Sequence, residues 1–373
     1  MNILIITSLY PEHNKATIME TSFAIHELAL GLHNYGVNLK KVIRPSFEDE
    51  WRNLKFYPKF FRREIIDGIV VESKSFFNFY QFGSIVRRND VNYIKDSIKN
   101  IDLIVAHMPE DIKLARDIYK KFGLPFIAVL HESDILLLER QKNIIKYAQN
   151  VYGRSWAIKR ILEENDIKVD GIVYSGIDEK LIVKNKKFNK SDTLKIITVS
   201  IFQKKKNIDI VLKALAKLPK DYKWEYTIIG KGELNDYLKD LIKVLNLEDK
   251  VKMLGFQTRD FCLEEMKNSD IFVMPSYPET FGLVYLEAMA SGCIVICSKG
   301  WGIDGIIENG TNGYLVTPYE IDELTNIFEN ILNTPQDKIL KKSLNDIRKY
   351  TNENAQKNYA DIIKKNMNNG ILK

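Results

Sequence analysis

At 373 residues the chain is too long for one core of ordinary size, and two domains are expected. With 45% hydrophobic and 28% charged residues and no apolar run of membrane-spanning length, it reads as a globular protein that does not cross a bilayer. A formal net charge of +6 is too modest to select a partner, and three cysteines (Cys262, Cys293, Cys297), an odd number without metal-ligand spacing, argue against a disulfide framework and fit a reducing, cytoplasmic setting.

In chain order, M-N-I-L-I-I-T has too short an apolar segment for a signal peptide and no basic head or cleavage site, so it predicts a first strand. An amphipathic helical stretch from Met19 to Tyr35 closes at Gly36, and the runs V-N-L-K-K-V-I, I-V-V-E-S, D-L-I-V-A-H and F-I-A-V-L-H predict further strands. Between the first two of these, W-R-N-L-K-F-Y-P-K-F-F-R-R (Trp51 to Arg63) interleaves basic and aromatic residues. Such a mixture suits an anionic membrane surface or partner, and equally a loop with aromatics in the core and solvated cations. After V-Y-S-G-I-D the polar, basic K-N-K-K-F-N-K (Lys184 to Lys190) reads as a linker, separating a domain over 1–183 from one over 191–351. L-K-I-I-T-V-S, Y-T-I-I-G-K-G, K-V-K-M-L-G-F, D-I-F-V-M-P-S, C-I-V-I-C-S and G-Y-L-V-T-P predict the second set of strands, with helices from about Asp322 onward. The βα rhythm of both halves predicts an α/β chain of two doubly wound, Rossmann-like domains, with ligands at strand C-terminal ends facing a central cleft.

The chemistry-bearing residues cluster at such ends. In P-S-Y-P-E-T-F-G-L-V-Y-L-E-A-M-A-S-G, Gly282 permits close backbone approach where a helix begins, so the amides of Phe281, Gly282, Leu283 and Val284 can hold a diphosphate. Glu279 beside them would repel phosphate but accept hydrogen bonds from sugar hydroxyls, and Glu287, offset from a Leu283, Leu286, Ala290 stripe, would reach a second hydroxyl-bearing part of the same ligand. Spacing alone favours the plainer reading: a first-turn acid and a solvated helix glutamate. Two histidines, His107 and His131, end strands of the first half. A histidine there is more often structural, and for His107 both readings stay open.

The signature from Pro275 to Ile296 resembles, almost position by position, that of the retaining glycosyltransferases of family 4, and similar segments follow in the same order along nearly the whole chain. The resemblance implies a GT-B fold in which Glu279 contacts the transferred sugar, Glu287 the ribose, and the F-G-L amides the diphosphate. Gly302 to Val316 is similar to the segment that closes the donor pocket. Val199 to Asp209 looks like the loop whose cations embrace the diphosphate, with Lys206 at the lysine position. Ser200 stands where glycine is usual and Ile201 where arginine is usual, which leaves Lys204 or Lys205 as substitutes. F-I-A-V-L-H-E-S-D resembles the acceptor-side strand, implying that His131 lies beside the transferred sugar, with Glu132 and Asp134 near the acceptor. The opening loop is similar to a family variant without its glycine pair, with Thr17 near a glycine place and His13 and Lys15 as weaker contacts. Asn150 to Ser155 and Val173 to Asp178, with Ser175 where asparagine is common, look architectural. The last segment, about 352–373, looks like the helix that crosses back to the first domain.

Taken together, the resemblance implies retaining, metal-independent transfer from a nucleotide-diphosphate sugar to a saccharide or lipid-linked saccharide acceptor, as in cell-surface polysaccharide or glycolipid assembly. No cofactor and no nucleic acid enter this reading, and no D-x-D pair is present. Catalytic weight falls on His131, Glu279 and Lys206, and peripheral contact with an anionic membrane at the inner face of the cell membrane is expected. Two other classes stay in view: a sugar-nucleotide 2-epimerase on the same architecture, and a non-catalytic anion- or nucleic-acid-binding module, although no nucleic-acid motif accompanies the charge.

Overall fold

The computed structural model describes residues 2–11, 23–48, 61–77, 91–92, 94–188 and 193–370. His13, Lys15, Thr17 and most of the Trp51 to Arg63 stretch lie outside the described residues. The chain divides into two compact units, Met1–Arg154 with Ile158–Ser175 and Asn352–Lys373, and Ser155–Ala157 with Gly176–Thr351.

The first unit is built on an eight-stranded sheet. Its strands are β1 (Asn2–Ile6), β2 (Asn38–Glu48), β3 (Phe61–Ile66), β4 (Ile69–Phe77), β5 (Leu103–His107), β6 (Phe126–Leu130), β7 (Val151–Gly153) and β8 (Gly171–Ile172), in the order β3-β4-β2-β1-β5-β6-β7-β8. All pairings are parallel except β3 with β4, an antiparallel hairpin at the sheet edge. Asp67 and Gly68 at its tip both have positive φ (46° and 82°), the two-residue turn whose twist matches that of the strands it joins. Arg62 and Arg63, the last basic residues of the basic-aromatic stretch, therefore sit in an edge strand, where Arg62 pairs with Glu64. Helix Asn352–Gly370 buries Ala355, Tyr359, Ala360, Ile363 and Met367 in the core formed by β1, β5 and β6.

The second unit carries β9 (Leu194–Val199), β10 (Trp224–Ile229), β11 (Val251–Gly255), β12 (Ile271–Met274), β13 (Ile294–Ser298) and β14 (Tyr314–Val316) in the order β11-β10-β9-β12-β13-β14, all parallel. Counted within the unit this is 3-2-1-4-5-6, the doubly wound order, and its topological switch point lies between β9 and β12. The core includes Ile196, Tyr226, Ile228, Ile271, Val273, Ile294 and Ile296, each essentially enclosed, and each such side chain stabilises the unit by about 1.5–3 kcal/mol.

The linker expectation is corrected in detail. The chain passes between units at Ser175–Gly176, ahead of Lys184 to Lys190. The intervening residues belong to the second unit: the Val183 N–H donates to Ala290 O, Lys186 Nζ donates to Ser269 O (2.6 Å), and Phe188 packs on the core. A lysine with a buried stem and a satisfied ammonium mimics a solvated one in sequence. All three cysteines are buried, and burial pushes the Cys293 thiol up to about 12. No helix among the described residues is long and apolar enough to cross a membrane.

Candidate active site

The second unit's switch point is built from two loops. After β9 the chain makes a tight turn at Lys204–Lys206 and enters helix Ile208–Ala216 through Asn207, whose left-handed backbone (φ 53°) an asparagine tolerates. After β12 it runs Pro275 to Phe281 and enters helix Leu283–Ala290 through Gly282. Three bonds join the loops: the Tyr277 N–H (2.7 Å) and the Ser276 hydroxyl (3.0 Å) donate to Lys205 O, and Asn207 Nδ2 donates to Pro275 O (2.7 Å).

This stitching brings Lys206 Nζ to 2.6 Å from Glu279 Oε2, with Ser276 Oγ 3.2 Å from the same oxygen. The Lys206 and Glu279 side chains are only 15% and 11% exposed. Such a pair is poorly hydrated, so its attraction is stronger than that of a surface ion pair. The Glu279 carbonyl accepts from the Gly302 N–H (3.0 Å), which ties the segment from Gly302 to Val316 to the same loop. Gly282 is demanded twice: its φ is 77°, and a Cβ there would meet Tyr285 Cε2 at 2.5 Å. The amides from Phe281 to Val284 open the helix that follows, where a helix offers its unpaired donors and the positive end of its dipole.

Glu287 lies on that helix and accepts from Arg259 Nε (2.8 Å). The helix is not the half-exposed element that a single stripe implied. Tyr285, Leu286, Ala288, Met289 and Ala290 are all buried, while Leu283 is only partly so, because the helix is covered on most sides. Ile201, at the expected arginine position, is 47% exposed, Lys204 is exposed and Lys205 partly buried; of the three lysines, Lys206 is the one paired with Glu279.

The first unit has its own switch point, between β1 and β5. His107 ends β5, and Met108 (φ 70°) turns the chain sharply into helix Pro109–Phe122. His131 follows β6 and caps helix Glu132–Leu136. The two rings meet, His107 Nδ1 to His131 Nε2 at 3.3 Å, and His107 Nε2 lies 3.1 Å from Tyr359 Oη. Burial first, and then the positive Arg154, push both imidazoles well below the usual histidine range. Glu132 is partly buried, and Asp134 is fully enclosed, with its Oδ2 accepting the His131 N–H (2.7 Å). The Asp134 carboxyl is pushed up to about 7 by burial. Asp111 accepts from both the N–H and the hydroxyl of Ser8 and is likewise raised, chiefly by burial.

Sequence reasoning missed Ser8, Asp111, Arg154, Arg259 and Tyr359. Arg154 and Asp111 each follow a strand end closely, in V-Y-G-R and H-M-P-E-D, which was a usable signal; Tyr359 on a distant helix left none. Among the described residues no group of three His, Cys, Asp or Glu stands ready to hold a metal ion.

Residues 179–357 match the family model for glycosyl transferases group 1. The chain is 29% identical over 215 residues to an uncharacterised glycosyltransferase of Methanocaldococcus jannaschii, covering 54% of each chain. It is 28% identical over 265 residues to the N-acetyl-alpha-D-glucosaminyl L-malate synthase of Bacillus anthracis, covering 66% of this chain and 68% of that one. The chain thus spans about half the length of the first of these relatives. Among solved structures, Anabaena HepE in complex with UDP shares the fold, with a TM-score of 0.72 at 21% identity over 98% of this chain and 100% of that one. The two doubly wound sheets are those of the GT-B fold, and residues 179–357, nearly all in the second unit, are similar to the glycosyl transferases group 1 family.

Proposed function

We propose that this chain is a retaining glycosyltransferase that moves a sugar from a nucleotide-diphosphate sugar to a saccharide or lipid-linked saccharide acceptor in polysaccharide or glycoconjugate assembly. The Lys206–Glu279 pair beside the Gly282 helix start carries this reading, because it sets a cation, backbone donors and a hydroxyl acceptor side by side at a switch point. UDP and UDP-glucose in the HepE complexes, and relatives named for amylovoran biosynthesis and lipopolysaccharide core biosynthesis, support the ligand class and the setting.

In this reading the helix-start amides and Lys206 hold the diphosphate and stabilise the charge it gains on leaving, with no metal ion needed for that charge. Glu279 accepts from hydroxyls of the transferred sugar and Glu287, oriented by Arg259, from the ribose. Lys206 must divide its donors between Glu279 and the incoming phosphate, so donor binding loosens an ion pair while making a new one. The bond from the anomeric carbon to the diphosphate oxygen breaks, and the acceptor oxygen bonds to that carbon on the same face. Its proton passes to a departing phosphate oxygen. Peripheral contact of the Trp51 to Arg63 stretch with anionic lipid belongs to the same proposal, and failure to co-sediment with anionic liposomes counts against it.

A thermal-shift screen across nucleotide sugars tests the donor reading. Binding raises Tm by mass action, and a chain stabilised by none of them overturns it. Incubating the stabilising donor alone separates transfer from epimerisation: slow hydrolysis is expected, and an epimerised sugar overturns the transferase assignment.

A further inference from the structure

The histidine pair of the first unit has a direction. His107 is wholly enclosed and His131 is 7% exposed, so each ring nitrogen depends on the protein for its partner. The His131 side chain faces the backbone N–H of Asp134 across a capping box, an N–H that also donates to His131 O (3.1 Å), and Asp134 Oδ2 accepts the His131 N–H in return. An amide N–H only donates, so the ring nitrogen facing it is the unprotonated one. The other nitrogen of a neutral ring, Nε2, then carries the proton and donates to His107 Nδ1. This leaves the His107 proton on Nε2, donating to Tyr359 Oη. Reversing the chain would set two N–H groups against each other at the helix cap.

We propose that Tyr359 and His107 are positioning residues that hold His131 as a neutral Nε2–H imidazole with both ring nitrogens engaged within the protein, so that it takes no proton from the acceptor. The reading of His131 as a site residue rests on the resemblance of F-I-A-V-L-H-E-S-D to the acceptor-side strand, and so on the glycosyltransferase reading proposed above; the tautomer assignment does not depend on it. The surroundings of the pair point the same way. Arg154 is buried and fixed by donating to Val173 O (2.7 Å) and Ser175 Oγ (2.5 Å), and its charge opposes a second cation nearby. Other titratable groups of this cluster include Tyr359 on the C-terminal helix, Asp134 at the cap with Glu132 beside His131, and Asp111 on the helix after β5, which senses Asp134; the carboxyls at issue are Asp111 and Asp134. Burial favours the neutral form of both carboxyls, for Asp134 up to about pH 7, so on the acid side, where an imidazole would take up a proton, neither supplies a compensating negative charge. The role also explains why a helix from the chain's far end places a tyrosine in this core: a phenylalanine would fill the space and leave the His107 N–H without an acceptor.

The test is long-range 15N–1H spectroscopy of the full chain labelled at its five histidines, from about pH 5.5 to about pH 8.5. His107 and His131 are expected to keep one neutral tautomer, unprotonated at Nδ1, throughout. In Tyr359→Phe the His131 signals are expected to move toward a tautomer mixture, with the His107 ring as the intermediary. A His131 that becomes a cation within this range in the unmodified chain overturns the proposal without any variant. So does a Tyr359→Phe chain in which His107 shifts and His131 does not. Thermal shift with UDP reads the second unit separately: no UDP effect beside the expected tautomers would count against the donor site alone.

Discussion

The two switch points solve opposite problems with similar topology. In the second unit Lys206 and Glu279 face each other at 2.6 Å while keeping some exposure. In the first, His107, Asp111 and Asp134 are wholly enclosed and His131 nearly so, and burial drives all four toward their uncharged forms. What distinguishes them is the availability of an opposite charge at contact distance, because desolvation without one moves a pKa until the charge is gone.

Three changes would break or sharpen that contrast. The largest effect is expected from Glu279→Ala, which removes the carboxylate and frees Lys206. Transfer should fall by about 10²–10³-fold, in the range seen for loss of one preorganised polar group at a reacting centre. Near-normal turnover with intact donor binding would sink the assignment.

Asp134→Asn probes the enclosed side. The folded pKa of about 7 lies above the usual carboxyl value, so the folded state binds more protons than the unfolded one in between. The stabilisation from this group is fully present below about pH 4 and is lost as pH rises through about 7. Asparagine keeps an oxygen for the His131 N–H but cannot ionise. The variant should therefore lose less stability than the parent between about pH 4 and about pH 7, by on the order of a few kcal/mol in urea melts. Parallel stability–pH curves for the two would show that Asp134 does not titrate in that window.

Arg259→Ala should be the mildest. Arg259 is about half exposed, so removing it from Glu287 should cost about 1 kcal/mol or less, read as a donor KM raised a few-fold with kcat unchanged. A large fall in kcat would place Arg259 at the reacting atoms and not at the ribose side.

How far the sequence carried the reading also differs between the two sites. The βα alternation in both halves was readable, and so was the run from Pro275 to Gly292, because its requirements are consecutive: a glycine at positive φ, a helix start and two acids on fixed spacing. The first unit's cluster draws Ser8, His107, Asp111, His131, Arg154 and Tyr359 from separate segments, each ordinary in its local context, and only the sheet order brings them together. The β3–β4 hairpin was readable in principle, since Asp67-Gly68 between apolar runs is a strong turn signal. The basic and aromatic residues just before it carry no such turn signal and mask the strand that precedes it. Glu287 shows a different limit: spacing put it off the apolar stripe, but nothing in the local sequence announced Arg259, 28 positions earlier.

The Lys205 carbonyl, which takes hydrogen bonds from the Ser276 hydroxyl and the Tyr277 amide, has a kinetic consequence. With the two loops joined at this carbonyl, backbone motion that parts Lys206 from Glu279 has to break these bonds as well. Rotating the side chains leaves them intact, a motion of nanoseconds and not of the microseconds to milliseconds typical of lids. Donor capture at this unit should therefore be limited by diffusion and by the exchange of one ammonium between two anions, with little ordering entropy left to lose once the ligand is seated.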